Sequence, residues 1–233
     1  VGLILRLSKK ELPKRFLTTK KCMTKVSVIV PSRNEILLTK TVENIFASAT
    51  GEIEVIVVLD GPTSHPIPEE RENLIYIKKS IAESSRPAMN DAAKIAMGKY
   101  IMRSDSHCSF PLGFDEILKA HHLEDDWISI PRRYDLDIET WQPRWDTQVD
   151  YHYLGCPWNS KDFIMGDMRW FTRDKERTDT KYDVDDTMTY GGSSWFVTTN
   201  HYNNRLGGMN SEGYGPFNCE MQEMGLKTWL GGG

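Results

Sequence analysis

Val26-Ser27-Val28-Ile29-Val30-Pro31 is a near-continuous apolar run that breaks off in Ser32-Arg33-Asn34-Glu35. A short run with so few polar positions predicts a strand covered on both faces, as in a parallel sheet. Leu38, Val42, Ile45, Phe46 and Ala49 then recur at helical spacing, which predicts an amphipathic helix over residues 36–49, ended by Gly51. The same alternation continues outward. Ile53–Leu59 reads as a second buried strand, stopped by Asp60-Gly61-Pro62-Thr63, and Leu74–Ile77 as a short third. Residues 87–97 form a small-residue helix through Ala88, Ala92, Ala93, Ile95 and Ala96. Lys99–Met102 is a fourth strand, leading into Arg103-Ser104-Asp105-Ser106-His107-Cys108. Strand, helix, strand, strand, helix, strand predicts an α/β, Rossmann-like open sheet, mostly parallel and flanked by helices.

Beyond residue 113 the pattern changes. Phe114, Ile117, Leu118 and His121 predict one more helix, and Trp127–Ile130 one more strand. Residues 132–186 show no clear period and hold four of the seven tryptophans: Trp141, Trp145, Trp158 and Trp170. A stretch this long reads as a binding loop or lid, or as a small satellite core. Gly191-Gly192 feed a strand through Val197, and a last helix is expected near Asn218–Trp229. The expected division is a basic N-terminal arm (1–24) and a single domain (25–233). Within the domain, a nucleotide-binding half (25–113) precedes a second half (114–233) that carries the variable loop.

The totals limit the alternatives. The chain has 233 residues and a net charge of -4, yet residues 1–25 carry eight Lys or Arg against one acid, which leaves -11 on the rest. An acidic body disfavours a broad phosphate-backbone footprint, so it argues against nucleic-acid binding by the body itself. No apolar run approaches the ~20 residues of a membrane span. Val1–Leu7 is too short for a signal peptide, so the arm reads as a solvated tail or an upstream extension. The four cysteines (Cys22, Cys108, Cys156, Cys219) form no C-x-x-C pair and read as reduced thiols of a cytoplasmic protein.

Three loops are expected at the carboxyl ends of parallel strands, where open α/β sheets hold ligands: Pro31–Glu35, Asp60–Thr63 and Asp105–His107. Backbone NH groups at a helix start suit phosphate, an Asp at a strand end suits a base or ribose, and an Asp and a His one residue apart suit a divalent cation bridging phosphates. Together they describe a nucleoside-diphosphate site. No G-x-G-x-x-G or G-x-x-x-x-G-K-[ST] is present, which leaves dehydrogenases and P-loop enzymes poorly supported.

These segments resemble the family 2 glycosyltransferases of the GT-A fold, and among GT-A enzymes the catalytic domain of the polypeptide N-acetylgalactosaminyltransferases. Val26–Glu35 is similar to the opening strand and nucleotide loop, and Asp60-Gly61 to the end of V-D-D-G-S. Asn90, Ala96 and Gly98 fall on the A-R-N-x-G-x-x-x-A-x-G helix, and Asp105-Ser106-His107-Cys108 matches the D-S-H-C form of the metal motif. Thr187–Gly192 resembles the T-M-A-G-G donor-sugar loop, and Glu220–Lys227 the segment E-N-L-E-M-S-F-R.

The resemblance implies a metal-dependent transferase that moves a sugar from a UDP-sugar to a hydroxyl acceptor: protein Ser or Thr, a glycan, or a modified DNA base. It implies Mn²⁺ or Mg²⁺ on Asp105 and His107. Donor-binding residues would be Pro31, Ser32, Arg33, Glu35, Asp60, Arg86, Asn90, Ser104, Asp105, Ser106, Gly191 and Gly192, with Glu220 and Glu223 catalytic. Three positions depart from the pattern. Leu59 replaces the first Asp of V-D-D-G, and Met89 takes an Arg slot for which Arg86 is the substitute. Met221 stands where inverting relatives place their catalytic Asp. Methionine accepts no proton, so either Glu220 or Glu223 is the base, or the reaction retains anomeric configuration. A third metal ligand, a His in the relatives, is missing before Gly233 and is expected beyond it; His152 and His201 read as structural. A nucleotidyltransferase and a non-catalytic nucleotide-sugar-binding module stay as alternatives.

Overall fold

The computed structural model describes residues 2–3, 25–149, 151–155, 166–177, 184–214 and 219–233. The basic arm lies outside these residues apart from β1 (Gly2–Leu3), as do Trp158, Cys22 and Cys156. The predicted alternation is present: β2 (Val26–Ser32), α1 (Leu38–Ser48), β3 (Ile53–Asp60), β4 (Leu74–Lys79), α2 (Ser85–Ile95) and β5 (Tyr100–Ser104). After α3 (Phe114–His121) come β6 (Ile128–Ser129), β7 (Arg133–Asp137), β8 (Gln142–Val149), β9 (His152–Gly155), β10 (Gly166–Arg169) and α4 (Phe171–Arg177). The chain closes with β11 (Ser194–Thr198), a π-helical turn at His201–Arg205, and α5 (Glu220–Leu230).

Six strands form the central sheet in the order β4-β3-β2-β5-β11-β6. β2 pairs in parallel with both β3 and β5, and β11 runs antiparallel to β5 and β6. The continuous apolar runs have the expected cause, since all of β3 and β5 is buried. One side carries Val28, Val30, Val55, Val57 and Phe196 against Leu38, Val42 and Ile45 of α1 and Phe114 and Leu118 of α3. The other carries Ile29, Ile56, Val58, Ile101 and Trp195 against Ala88, Met89 and Ala92 of α2 and Met221 and Met224 of α5. The result is the mixed α/β architecture read from the sequence.

Residues 132–186 differ from their reading. β7 and β8 form an antiparallel hairpin with β1 on its free edge, β9 pairs with β10, and α4 follows. The sequence shows no clear period here because β7 buries only two side chains, Tyr134 and Leu136, between polar neighbours. Two of its tryptophans lie at the periphery: Trp145 is edge-on to Tyr134, and Trp141 packs under the Lys40 ammonium.

Sheet order also locates the crevice. From β2 the chain winds outward through β3 and β4, then returns to the other side of β2 as β5. The carboxyl ends of β2 and β5 thus flank the topological switch point, the standard ligand position of such sheets.

Candidate active site

Three loops meet at that crevice and are tied to one another. Arg33 donates from Nε and Nη2 to Asp60 Oδ2, at 3.1 and 2.5 Å. Asp60 Oδ1 accepts the Glu83 NH at 2.8 Å, so the carboxylate ending β3 is fully engaged. Asn34, in the left-handed region at φ 49°, turns its Oδ1 to the Ser64 NH at 2.8 Å. Pro31 and Ser32 complete β2, Ser32 being buried.

The Asp105–Cys108 stretch is laced to α1. Thr41 donates to the Ser106 carbonyl and accepts the Cys108 NH, Asn44 accepts the Phe110 NH, and Ser48 donates to the Phe110 carbonyl. Thr41, Asn44 and Ser48 share one face of α1 through their i, i+3, i+7 spacing, a signal the sequence reading passed over. On the other side the Asp105 NH donates to the Ser193 carbonyl at 2.8 Å, joining this loop to the glycine pair. Ser104 is buried and donates to the Asp105 carbonyl, and Ser106 is buried as well.

The side chains at the centre form a chain of charges. Arg103 Nη2 lies 2.8 Å from Asp105 Oδ1, His107 Nε2 lies 3.9 Å from Asp105 Oδ2, and His107 Nδ1 lies 3.3 Å from Glu35 Oε2. Asp105 and His107 keep about a quarter and a third of their side-chain surface exposed, so both are reachable from solvent. Among the described residues no group of three or more His, Cys, Asp or Glu side chains forms a closed metal cage. The donor set nevertheless fits a cation shared with a ligand, because Asp105 Oδ2 and His107 Nε2 face each other. Hard divalent cations at phosphate sites typically take one or two protein ligands plus phosphate oxygens and water.

At the glycine pair, side chains pack close against the backbone. A Cβ at Gly191 would collide with the Arg133 guanidinium, and one at Gly192 would touch Met221 at 3.5 Å and Arg103 Nη1 at 3.9 Å. Arg103 is buried, and its Nη1 has no partner among the described residues.

The two glutamates of α5 separate clearly. Glu220 follows Cys219, whose φ is 58°, and is buried with Ser85 Oγ donating to it. Burial pushes its carboxyl above the ordinary range, against the pull of Arg103 and Arg86. Glu223 is also desolvated, which raises it, but Lys227, the Asn210 NH and Arg86 outweigh this and hold it low. Arg86 is buried, bonds Glu223 and the Asn210 carbonyl, and lies 3.7 Å over the Tyr214 ring. Asn90 accepts from Tyr202 and the Met209 NH and donates to the Met209 carbonyl. Arg86, Asn90 and Glu223 therefore fasten the 206–214 segment to α2 and α5, leaving Glu220 as the less committed acid. His201 sits past the carboxyl end of antiparallel β11, at the opposite end of the sheet, in agreement with its structural reading.

The model of the family described as Glycosyl transferase family 2 matches residues 27–197. The fold is similar to the crystal structure of GalNAc-T7 with UDP, GalNAc and Mn²⁺, with a TM-score of 0.62 and 14% identity, over 90% of this chain and 41% of that one. It is similar also to residues 1–349 of S. aureus TarS, with a TM-score of 0.50 and 16% identity, over 89% of this chain and 56% of that one. The chain thus spans about two fifths of the first of these crystallised chains and just over half of the second. No curated protein sequence matches it closely enough to count as a relative. Among the described residues no helix is long and apolar enough to cross a membrane.

Proposed function

The chain belongs to glycosyl transferase family 2, and from that premise we propose that it transfers a hexose from a UDP-sugar to a hydroxyl acceptor, with divalent-metal dependence and retention of configuration. The observation that carries this reading is the facing of Asp105 Oδ2 and His107 Nε2 across the switch-point crevice. A neighbour of the same fold binds UDP, GalNAc and Mn²⁺, which supports the choice of donor class and cation.

Asp105 and His107 would hold Mn²⁺ or Mg²⁺, which when bound neutralises charge on the departing diphosphate. Arg33, half-exposed while paired to Asp60, and the Ser32–Asn34 backbone receive the nucleoside. Arg103 Nη1, buried and without a partner among the described residues, lies beside Gly192 and supplies an N–H beneath the donor loop. Glu220 is the acid best suited to meet a sugar or acceptor hydroxyl, since its carboxylate spends fewer bonds than that of Glu223. Met221, buried at the position of a catalytic Asp in inverting relatives, takes no proton. Its presence favours a route in which the departing diphosphate helps deprotonate the acceptor.

The test is turnover of UDP-sugars by the full chain with and without Mn²⁺, in the native protein and in the Asp105→Ala and His107→Ala variants. Both variants are expected to lose about a thousandfold in rate, equivalent to ~4 kcal/mol. Retained activity in either would sink the assignment. Release of pyrophosphate instead of UDP would favour a nucleotidyltransferase.

A further inference from the structure

Two groups approach the carboxylate of Glu35. Its Oε1 accepts the Leu37 NH at 3.3 Å, at the entry to α1, and its Oε2 lies 3.3 Å from His107 Nδ1. The far nitrogen of the same ring, Nε2, is the one that faces Asp105. A histidine that ligates a metal through one nitrogen commonly gives its other N–H to a carboxylate, which sets both the tautomer and the plane of the ring.

On the metal-dependent reading above, we propose that Glu35 is a positioning residue for His107 and not a contact of the nucleotide. Glu35 draws the imidazole proton to Nδ1, so the Nε2 lone pair points at the place where Asp105 Oδ2 also points. Arg103 holds the other side of the pair by fixing Asp105 Oδ1. The two ligands are thus each braced by an oppositely placed charged partner, one from the β2–α1 loop and one from β5. No proton or electron is exchanged; the effect is orientation alone.

Three readouts test this on the full chain. The ¹⁵N shifts of the neutral His107 ring report its tautomer with no metal present: the Nδ1–H form is expected in the native protein, and the Nε2–H form should gain in Glu35→Ala. Calorimetric titration of Mn²⁺ into protein saturated with UDP should show affinity about 10–100-fold weaker in Glu35→Ala. Glu35→Gln keeps one acceptor oxygen for the ring and should lie between the two. UDP affinity without metal should stay unchanged in both variants.

A native Nε2–H tautomer, or Mn²⁺ affinity in Glu35→Ala within twofold of native, overturns the proposal. So does an equal loss of metal-free UDP binding, which would make Glu35 a nucleotide contact. Failure of the native protein to take up Mn²⁺ with UDP overturns the parent reading and this one with it. That case is recognised by the native protein's own titration, before any variant is compared.

Discussion

The two ends of the central sheet use the same side chains for opposite purposes. At the amino end, Glu54 accepts from Ser27 Oγ at 2.5 Å and from the Met97 NH at 2.7 Å, and Asp115 accepts the NH groups of Thr50 and Gly51. There His122 is wedged edge-on against Tyr100 and Phe196, with Ser129 on its Nδ1. At the carboxyl end, Glu35, Asp105 and His107 meet one another and Arg103, with solvent access left to the pair. Glu54, with almost no exposed surface, is closed in by Ser27, the Met97 NH and Lys25, and Asp115 is wholly buried, so both acids are consumed by the fold. Asp105 and His107 keep exposed surface beside side-chain partners that a ligand can share or displace, so they remain available.

Beyond Asp105 and His107, this contrast is tested most strongly at Glu220, the buried acid of the carboxyl end. Glu220→Gln is expected to lower kcat about a hundredfold. The same change should raise the melting temperature, since burial opposes ionisation of Glu220 in the fold and the amide relieves that cost. The sign for pH follows: turnover depends on the carboxylate and falls as pH drops through a pKa above the ordinary 4.5. A pH–rate profile with no acid limb would remove Glu220 from the reaction.

At the amino end, the expected effects reverse. Burial holds His122 down to about 4 from its ordinary 6.5. The unfolded chain therefore binds a proton that the folded one refuses, and stability is lost as pH falls from 6.5 toward 4, by about 3 kcal/mol in full. Urea unfolding across that range should show the loss, and His122→Asn should flatten it with UDP affinity unaltered at pH 7.5. Glu54→Ala, which strands the Ser27 hydroxyl and the Met97 NH, should cost about 2 kcal/mol of stability and again leave UDP affinity intact. The smallest effect concerns Cys108: its thiol is buried and pushed up to about 12, so it should resist alkylation in the native protein while Cys219 reacts.

The carboxyl-end loops were legible in the sequence because β2, β3 and β5 are buried on both faces, and such runs announce where strands stop. Asp60, Asp105 and His107 follow directly from those stops. The amino-end roles of Glu54 and Asp115 were not legible, since a capping acid and a solvated acid look alike until the loops they cap are placed. Arg86, Asn90 and Glu223 carry another lesson. Each lies near the crevice in sequence order, yet each is spent holding the 206–214 segment, and only tertiary contacts distinguish Glu223 from Glu220. The hairpin β7–β8 escaped because two inward side chains are too few to establish a period.

β11 sits between the two cores with its register fixed from Ser194 opposite Ser104 to Thr198 opposite Tyr100. Trp195 belongs to one core and Phe196 to the other, and neither has exposed surface. An insertion or deletion of one residue within β11 would exchange an indole and a phenyl ring across the sheet. The strand that delivers Gly191-Gly192 to Asp105 therefore admits substitutions but no change of length. The β7–β8 turn, where exposed Glu139 and Thr140 cap onto Asp137, is free of that lock. A residue added to or removed from that turn would reshape the outer surface and leave the register of β11 against β5 untouched.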